Sequence, residues 1–306
     1  MWRPLIALLL LIAAAPNALA ATTVRLPAGT CAADDSLFFD GFQGPVAVPA
    51  DPSQGSGASQ AGDVTTYVYV SGLGDRPDGR QTVYLRVPPG YTSAHAWPLV
   101  IALHGASGSH QNAVYDAKAT RTKWAPLADA QGFILVTPVG NGQQGSWIVG
   151  GNPDDYDGFD AILAMLEANY NIERSRVYLW GFSAGGHVAW DLAFNGVAMG
   201  TQLNVNSLAG MAAAAGELSA FACNPQAPGQ CANLVAAQSR RLPIDVHIGL
   251  SDPGLAHAQY DRNLLLANGW RLGTTLGYHE FVGDHEYTPP QLGEAWAEIC
   301  RFARGP

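Results

Sequence analysis

Ser183 lies in the pentapeptide GFSAG at 181 to 185, between an apolar run, RVYLW, and a segment with helical spacing, HVAWDLAF. A serine on a strand-to-helix turn, with glycine two positions away on each side, presents its hydroxyl from strained backbone geometry. The chemistry this suits is nucleophilic attack on a carbonyl carbon, with the Ala184 amide at the start of the helix stabilising the negative charge that forms. Such a hydroxyl needs a base. Of the eight histidines, His285 follows the run LGYHEFV in the turn GDHEYTPP, which puts its ring at the carboxyl edge of a sheet and makes it the expected base. His247 and His279 fall inside strand-like runs and read as structural histidines. His187, in the first turn after the serine, reads as a packing or capping residue, and His104, beside Gly105, as a brace for a loop.

Holding two such groups together requires a sheet whose strand ends converge. The runs TTYVYV (65–70) and QTVYLRV (81–87) alternate with period two, as antiparallel strands near an edge do. PLVIALHG (98–105), GFILVTPVG (132–140) and RVYLWGFS (176–183) are nearly continuous in Val, Ile and Leu, as central parallel strands require. Further strands are expected at 203–208 (LNVNSL), 242–250 (LPIDVHIGL) and 276–282 (LGYHEFV), with helices over GFDAILAMLEANY (158–170), HVAWDLAF (187–194) and EAWAEICRF (294–302). Two antiparallel strands followed by strand–helix alternation predict an α/β fold with helices on both faces of a mostly parallel sheet. Sites on such sheets lie beyond the carboxyl ends of the strands.

The stretches VIALHG, GFILVTP, YNIERSRVYLWGFSAGG and GDHE resemble the α/β-hydrolase superfamily, and within it the secreted polyhydroxybutyrate depolymerase and feruloyl esterase-like group. The resemblance covers residues 64 to 303. It implies the α/β-hydrolase fold and a triad in the chain order serine, acid, histidine. Asp252, just past the strand in LPIDVHIGLSDPG, fits the acid; Asp245 sits at the other end of that strand, and Asp261 belongs on the next helix. The same resemblance implies a second oxyanion donor from the loop after PLVIALHG, at the Ala106 amide. Trp147, in GQQGSWIVGG, is expected as an apolar wall for an acyl or aromatic group, and Asp154 or Asp155 as the cap of the following helix. The loop reads HGASG where HGGG is common in esterases, and no polymer-binding module follows the matched region. The expected function is hydrolysis of carboxylic esters, polyhydroxyalkanoate or feruloyl, through an acyl-Ser183 intermediate without a cofactor. Serine peptidase and non-catalytic ligand binding are the competing readings.

The remaining sequence sets the compartment and the partners. Arg3, an apolar run from Leu5 to Ala15, and Ala18-Leu19-Ala20 after Pro16 and Asn17 predict a signal peptide over 1–20, removed on export to the periplasm or the exterior. Residues 21–62 are expected as an N-terminal extension that ends in the small, polar linker or surface loop PADPSQGSGASQAG, and 63–306 as the catalytic domain. With 16 Lys and Arg against 25 Asp and Glu, a formal charge of −9 leaves no broad basic surface for nucleic acid. After signal cleavage no membrane contact is expected, and the partner is a small-molecule or polymeric ester. Four cysteines in an oxidising compartment predict two disulfides, with three connectivities open. A bridge Cys223–Cys231 suits the short loop NPQAPGQ and leaves Cys31–Cys300 to tie the termini together. No CxxC pair or histidine cluster accompanies the cysteines, so no metal is expected.

Overall fold

Successive residues of a strand point to opposite faces of its sheet, so a strand covered on both faces must be apolar throughout. Leu99, Ile101 and Leu103 enter the core on one face of the sheet, and Val100 and Ala102 enter it on the other. The structure is a computed structural model, and it describes residues 21–26, 31, 50–58, 60–73 and 79–305. In chain order β1 (Thr22–Arg25), β2 (Gly62–Tyr69), β3 (Arg80–Val87) and β4 (Trp97–Leu103) precede α1 (His110–Gln131) and β5 (Ile134–Pro138). There follow α2 (Asp155–Asn169), β6 (Ile172–Phe182), α3 (Ala184–Met199), β7 (Gly210–Ala214) and α4 (Gln230–Ala236). The chain closes with β8 (Ile244–Gly249), α5 (Leu255–Ala267), β9 (Leu276–Phe281), α6 (Pro289–Ile299) and β10 (Phe302–Gly305).

Eight strands form one sheet in the order β2-β3-β5-β4-β6-β7-β8-β9. β2 and β3 enter antiparallel, and every pairing from β5–β4 to β8–β9 is parallel. On one face α2, α3 and α5 supply Phe159, Leu166, Trp190 and Leu265; on the other, α1 and α6 supply Trp124, Leu292 and Trp296. Helix starts are fixed by side chains: Ser109 caps α1, and Asp154 caps α2 in a box completed by Asp157. Asp154 is therefore the helix cap, and Asp155 has other partners.

The strand expected at 203–208 is a set of turns, and the strand in its place is β7, which starts seven residues further on. In LNVNSL the Asn204 side chain accepts from the Asn206 amide at 2.8 Å and its carbonyl accepts from Ser207 and Leu208 at 3.1 Å, so the backbone is satisfied locally and has no need of a ladder. β7, GMAAA, has weak strand propensity, but small side chains fit between β6 and β8 under α3 and α6, and the packing overrides propensity.

The two ends of the described chain meet. β1 pairs antiparallel with β10, and Cys31 is bonded to Cys300; Cys223 is bonded to Cys231. Residues 50–58 lie along α2 and the start of β6: Ser53 N donates to the Ile172 carbonyl at 2.8 Å and Ala58 N to the Asn169 carbonyl at 2.9 Å. The signal-peptide expectation falls outside the described residues. Among the described residues no helix is long and apolar enough to cross a membrane.

Candidate active site

The turn from β6 into α3 places Ser183 at φ 53°, ψ −122°, a backbone region that costs a non-glycine residue free energy and persists only under outside constraint. The constraint is close packing of backbone on backbone. A Cβ on Gly181 would lie 2.1 Å from the Gly185 carbonyl oxygen, and one on Gly185 would lie 2.5 Å from that of Leu103. The glycine spacing of the motif is thus a steric requirement of the turn.

His285 follows β9 and Asp252 follows β8, so both stand at the same sheet edge as Ser183. His285 Nε2 is 2.8 Å from Ser183 Oγ, and its Nδ1 is 2.9 Å from Asp252 Oδ2. The Asp252 side chain is 1% exposed, and its second oxygen accepts from the Gly254 amide at 2.8 Å. The His285 side chain is 41% exposed and leans on Phe182, with ring centroids 5.2 Å apart. A buried carboxylate with both oxygens engaged holds one edge of the imidazole and leaves the other facing the hydroxyl. Three residues far apart in sequence are brought into one hydrogen-bonded line.

Ala184 is the first residue of α3, where helix amides have no partner within the helix. Among the described residues neither its amide nor that of Ala106 meets a backbone acceptor. Ala106 follows Gly105, whose Cβ position lies 3.1 Å from Ser183 Cβ, so the loop passes directly over Ser183. His104 holds this loop from behind. Its Nε2 accepts from the Gly140 amide at 3.0 Å, so Nδ1 carries the hydrogen and donates to the Gly105 carbonyl at 2.6 Å. Burial lowers the His104 pKa and keeps the ring neutral.

Trp147, expected as an apolar wall, packs against His104 and Phe159. Its indole N–H donates to the His104 carbonyl at 3.0 Å, its ring packs 4.7 Å from His104 and 5.4 Å from Phe159, and it is only 8% exposed. These contacts support the loop that carries Gly105 and Ala106. Asp155 is a site residue that sequence reasoning missed. Its two oxygens accept from Gln81 Nε2, Asn141 Nδ2, the Asn141 amide and the Ile148 amide, at 2.6 to 3.3 Å. These bonds fix the long segment carrying Gly140 and Trp147. The only sequence signal was the adjacent acid pair, which one cap could not consume.

Four of the other histidines have contacts away from Ser183. His187 Nε2 is 2.8 Å from the buried Glu217 carboxylate, and His257 Nδ1 is 3.1 Å from Ser219 Oγ. His247 and His279 lie together beside Asp245 on the α6 face of β8 and β9.

The Esterase family matches residues 74–296 of this sequence. The chain belongs to the Esterase family. A bifunctional acetylxylan esterase/xylanase of Neocallimastix patriciarum is 37% identical over 89 residues, 29% of this chain and 12% of that protein. Feruloyl esterase B of Thermothelomyces thermophilus is 33% identical over 132 residues, 40% of this chain and 42% of that protein. This member of the Esterase family thus spans less than half the length of either relative. A solved ferulic acid esterase superposes with a TM-score of 0.58 at 14% identity, over 79% of this chain and 98% of that one, and establishes the α/β-hydrolase fold.

Proposed function

We propose that this chain is a serine carboxylic ester hydrolase of feruloyl esterase type. The observation that carries the reading is the line Asp252–His285–Ser183, with separations of 2.9 and 2.8 Å. Ser183 Oγ attacks the ester carbonyl as its proton passes to His285 Nε2. The charge that develops on the carbonyl oxygen is met by the Ala184 and Ala106 amides, and Asp252 stabilises the imidazolium. Collapse expels the alcohol with the proton from His285, leaving an acyl-Ser183 ester. Water activated by the same ring then releases the acid and restores the enzyme. No cofactor enters any step.

Family membership supports ester chemistry, and the feruloyl esterase match supports a hydroxycinnamoyl acyl group. A polyhydroxyalkanoate is the alternative ester. The two disulfides support export, since such bonds persist in oxidising compartments, and with it the removal of residues 1–20 as a signal peptide ahead of a catalytic domain over 63–306.

The test is turnover of p-nitrophenyl acetate and methyl ferulate by the purified chain and by Ser183→Ala. We expect ferulate release and a loss on the order of 10^6 in kcat for the variant. Clearing of a polyhydroxybutyrate suspension without ferulate release would move the substrate to the polyester. Cleavage of a peptide anilide with neither ester turned over would sink the reading in favour of a peptidase.

A further inference from the structure

β8 and β9, the strands that end in the Asp252 and His285 loops, carry a second group of ligating side chains that the esterase mechanism does not use. Asp245 and His247 alternate on one face of β8, and His279 is the register partner of His247 on β9. The two imidazoles stack, with centroids 4.6 Å apart and planes 19° from parallel. Asp245 Oδ2 is 2.8 Å from His247 Nε2 and Oδ1 is 3.1 Å from His279 Nε2.

These are ion-pair distances, but none of the four atoms makes a well-aligned hydrogen bond. Both Asp245 oxygens and both Nε2 atoms are buried and without a hydrogen-bond partner. Asp245 is fully buried and His247 is 2% exposed. A fully buried carboxylate whose two ion pairs are out of hydrogen-bond alignment recovers only part of its desolvation cost. One shared cation would satisfy all four atoms at once.

We infer that Asp245, His247 and His279 form a binding site for a divalent transition-metal cation of the zinc class. The donor set is two imidazole nitrogens and one carboxylate, which suits Zn2+ and its first-row neighbours and suits Ca2+ or Mg2+ poorly. The three ligand atoms lie within 4.8 Å of one another. Zinc bonds of about 2.0 to 2.2 Å place tetrahedral ligands roughly 3.4 Å apart. The two carboxylate–imidazole separations, 2.8 and 3.1 Å, lie 0.3 to 0.6 Å short of that distance, a shift that small side-chain rotations supply. The exposed side of His279 leaves a fourth position for water. Glu294 Oε2, on α6, lies 3.8 Å from the other nitrogen of His247, Nδ1, and adds negative charge beside the site.

The position gives the cation a structural task. β9 is the last strand of the sheet and pairs with β8 alone, yet the catalytic imidazole hangs from its end. A cation held by residues of both strands clamps that edge in place. The site departs from the sequence expectation of no metal, because that expectation looked for ligands near the cysteines, and these three residues meet only through strand register.

The experiment titrates ZnCl2 by calorimetry into the full chain stripped with EDTA and dialysed, with thermal unfolding followed in parallel. We expect one Zn2+ per chain and a rise in Tm of several degrees. His279→Ala, at the exposed sheet edge, is expected to lose at least tenfold in Zn2+ affinity together with the Tm rise, while its circular dichroism and metal-free ester turnover stay at the wild-type level. His285→Ala is expected to bind Zn2+ as the wild type does, which separates this site from the catalytic imidazole. A stripped wild type that takes up no Zn2+, or a His279→Ala chain that binds it undiminished, would overturn the inference. Because the readout is binding and unfolding, the outcome is independent of which ester the enzyme cleaves.

Discussion

His104 Nε2 accepts the Gly140 amide at 3.0 Å, joining the loop over the nucleophile to the long segment between β5 and α2. Through its other nitrogen the same ring holds the Gly105 carbonyl, and Trp147 holds the His104 carbonyl in turn. Asp155 anchors the far end of that segment through Asn141 and Ile148. The placement of the Ala106 amide thus depends on a side chain that itself touches no substrate.

His104→Ala leaves the Gly140 amide without its acceptor and the Gly105 carbonyl without its donor. Each orphaned buried group costs about 1 to 3 kcal/mol, and a loosened donor loop weakens charge stabilisation at the transition state. We expect a fall in kcat on the order of 10^2 with KM changed little, measured on p-nitrophenyl acetate, together with a lower urea midpoint. A variant with unaltered kcat would show that the loop keeps its place by backbone contacts alone.

Asp252→Asn retains the shape of the acid but can donate to Nδ1, which favours the tautomer whose Nε2 cannot accept the Ser183 proton. In comparable triads that change costs about 10^4 in kcat. The expected result here is a loss of that order in ester turnover, with no change in thermal stability beyond a few degrees. Full activity would transfer the orienting role to another carboxylate.

Burial pushes the Asp155 carboxyl up to about 6 from its usual 3.8, against the donors that favour its charged form. The folded value is the raised one, so between about pH 4 and pH 6 the folded chain keeps a proton that the unfolded chain has released. The linked stabilisation is complete below about pH 4 and is lost as pH rises through about 6, on the order of 3 kcal/mol in all. Asp155→Asn removes this titration. The stability gap between wild type and variant, from urea unfolding, should therefore narrow between pH 4 and pH 7. A gap that stays constant over that range would place the carboxyl at an ordinary pKa, and one that widens would place it below.

The two disulfides close loops of very different length, with sequence separations of 269 and 8 residues. On chain-entropy grounds the long closure restricts the unfolded state by up to about 5 kcal/mol and the short one by about 2.5. Cys31→Ser with Cys300→Ser should lower Tm more than Cys223→Ser with Cys231→Ser, by differential scanning calorimetry. Equal losses would mean that native-state strain or residual unfolded structure outweighs loop entropy.

The sequence alone determined the features written in local pattern. Continuous apolar runs marked the buried parallel strands, the spacing of Gly181, Ser183 and Gly185 marked the turn, and the carboxyl-edge rule pointed to His285. Where local chemistry and packing disagreed, local reading failed: the asparagine-rich LNVNSL satisfied its own backbone in turns, and the alanine-rich β7 became a strand because only small side chains fit its place. Tertiary structure decided everything that rests on which strand ends lie side by side. It set Trp147 against the loop of His104, gave Asp155 four donors from two separate segments, and stacked His247 on His279 across two strands. Sheet order and register are global properties of the packed chain, so contacts of this kind carry no short-range signature in sequence.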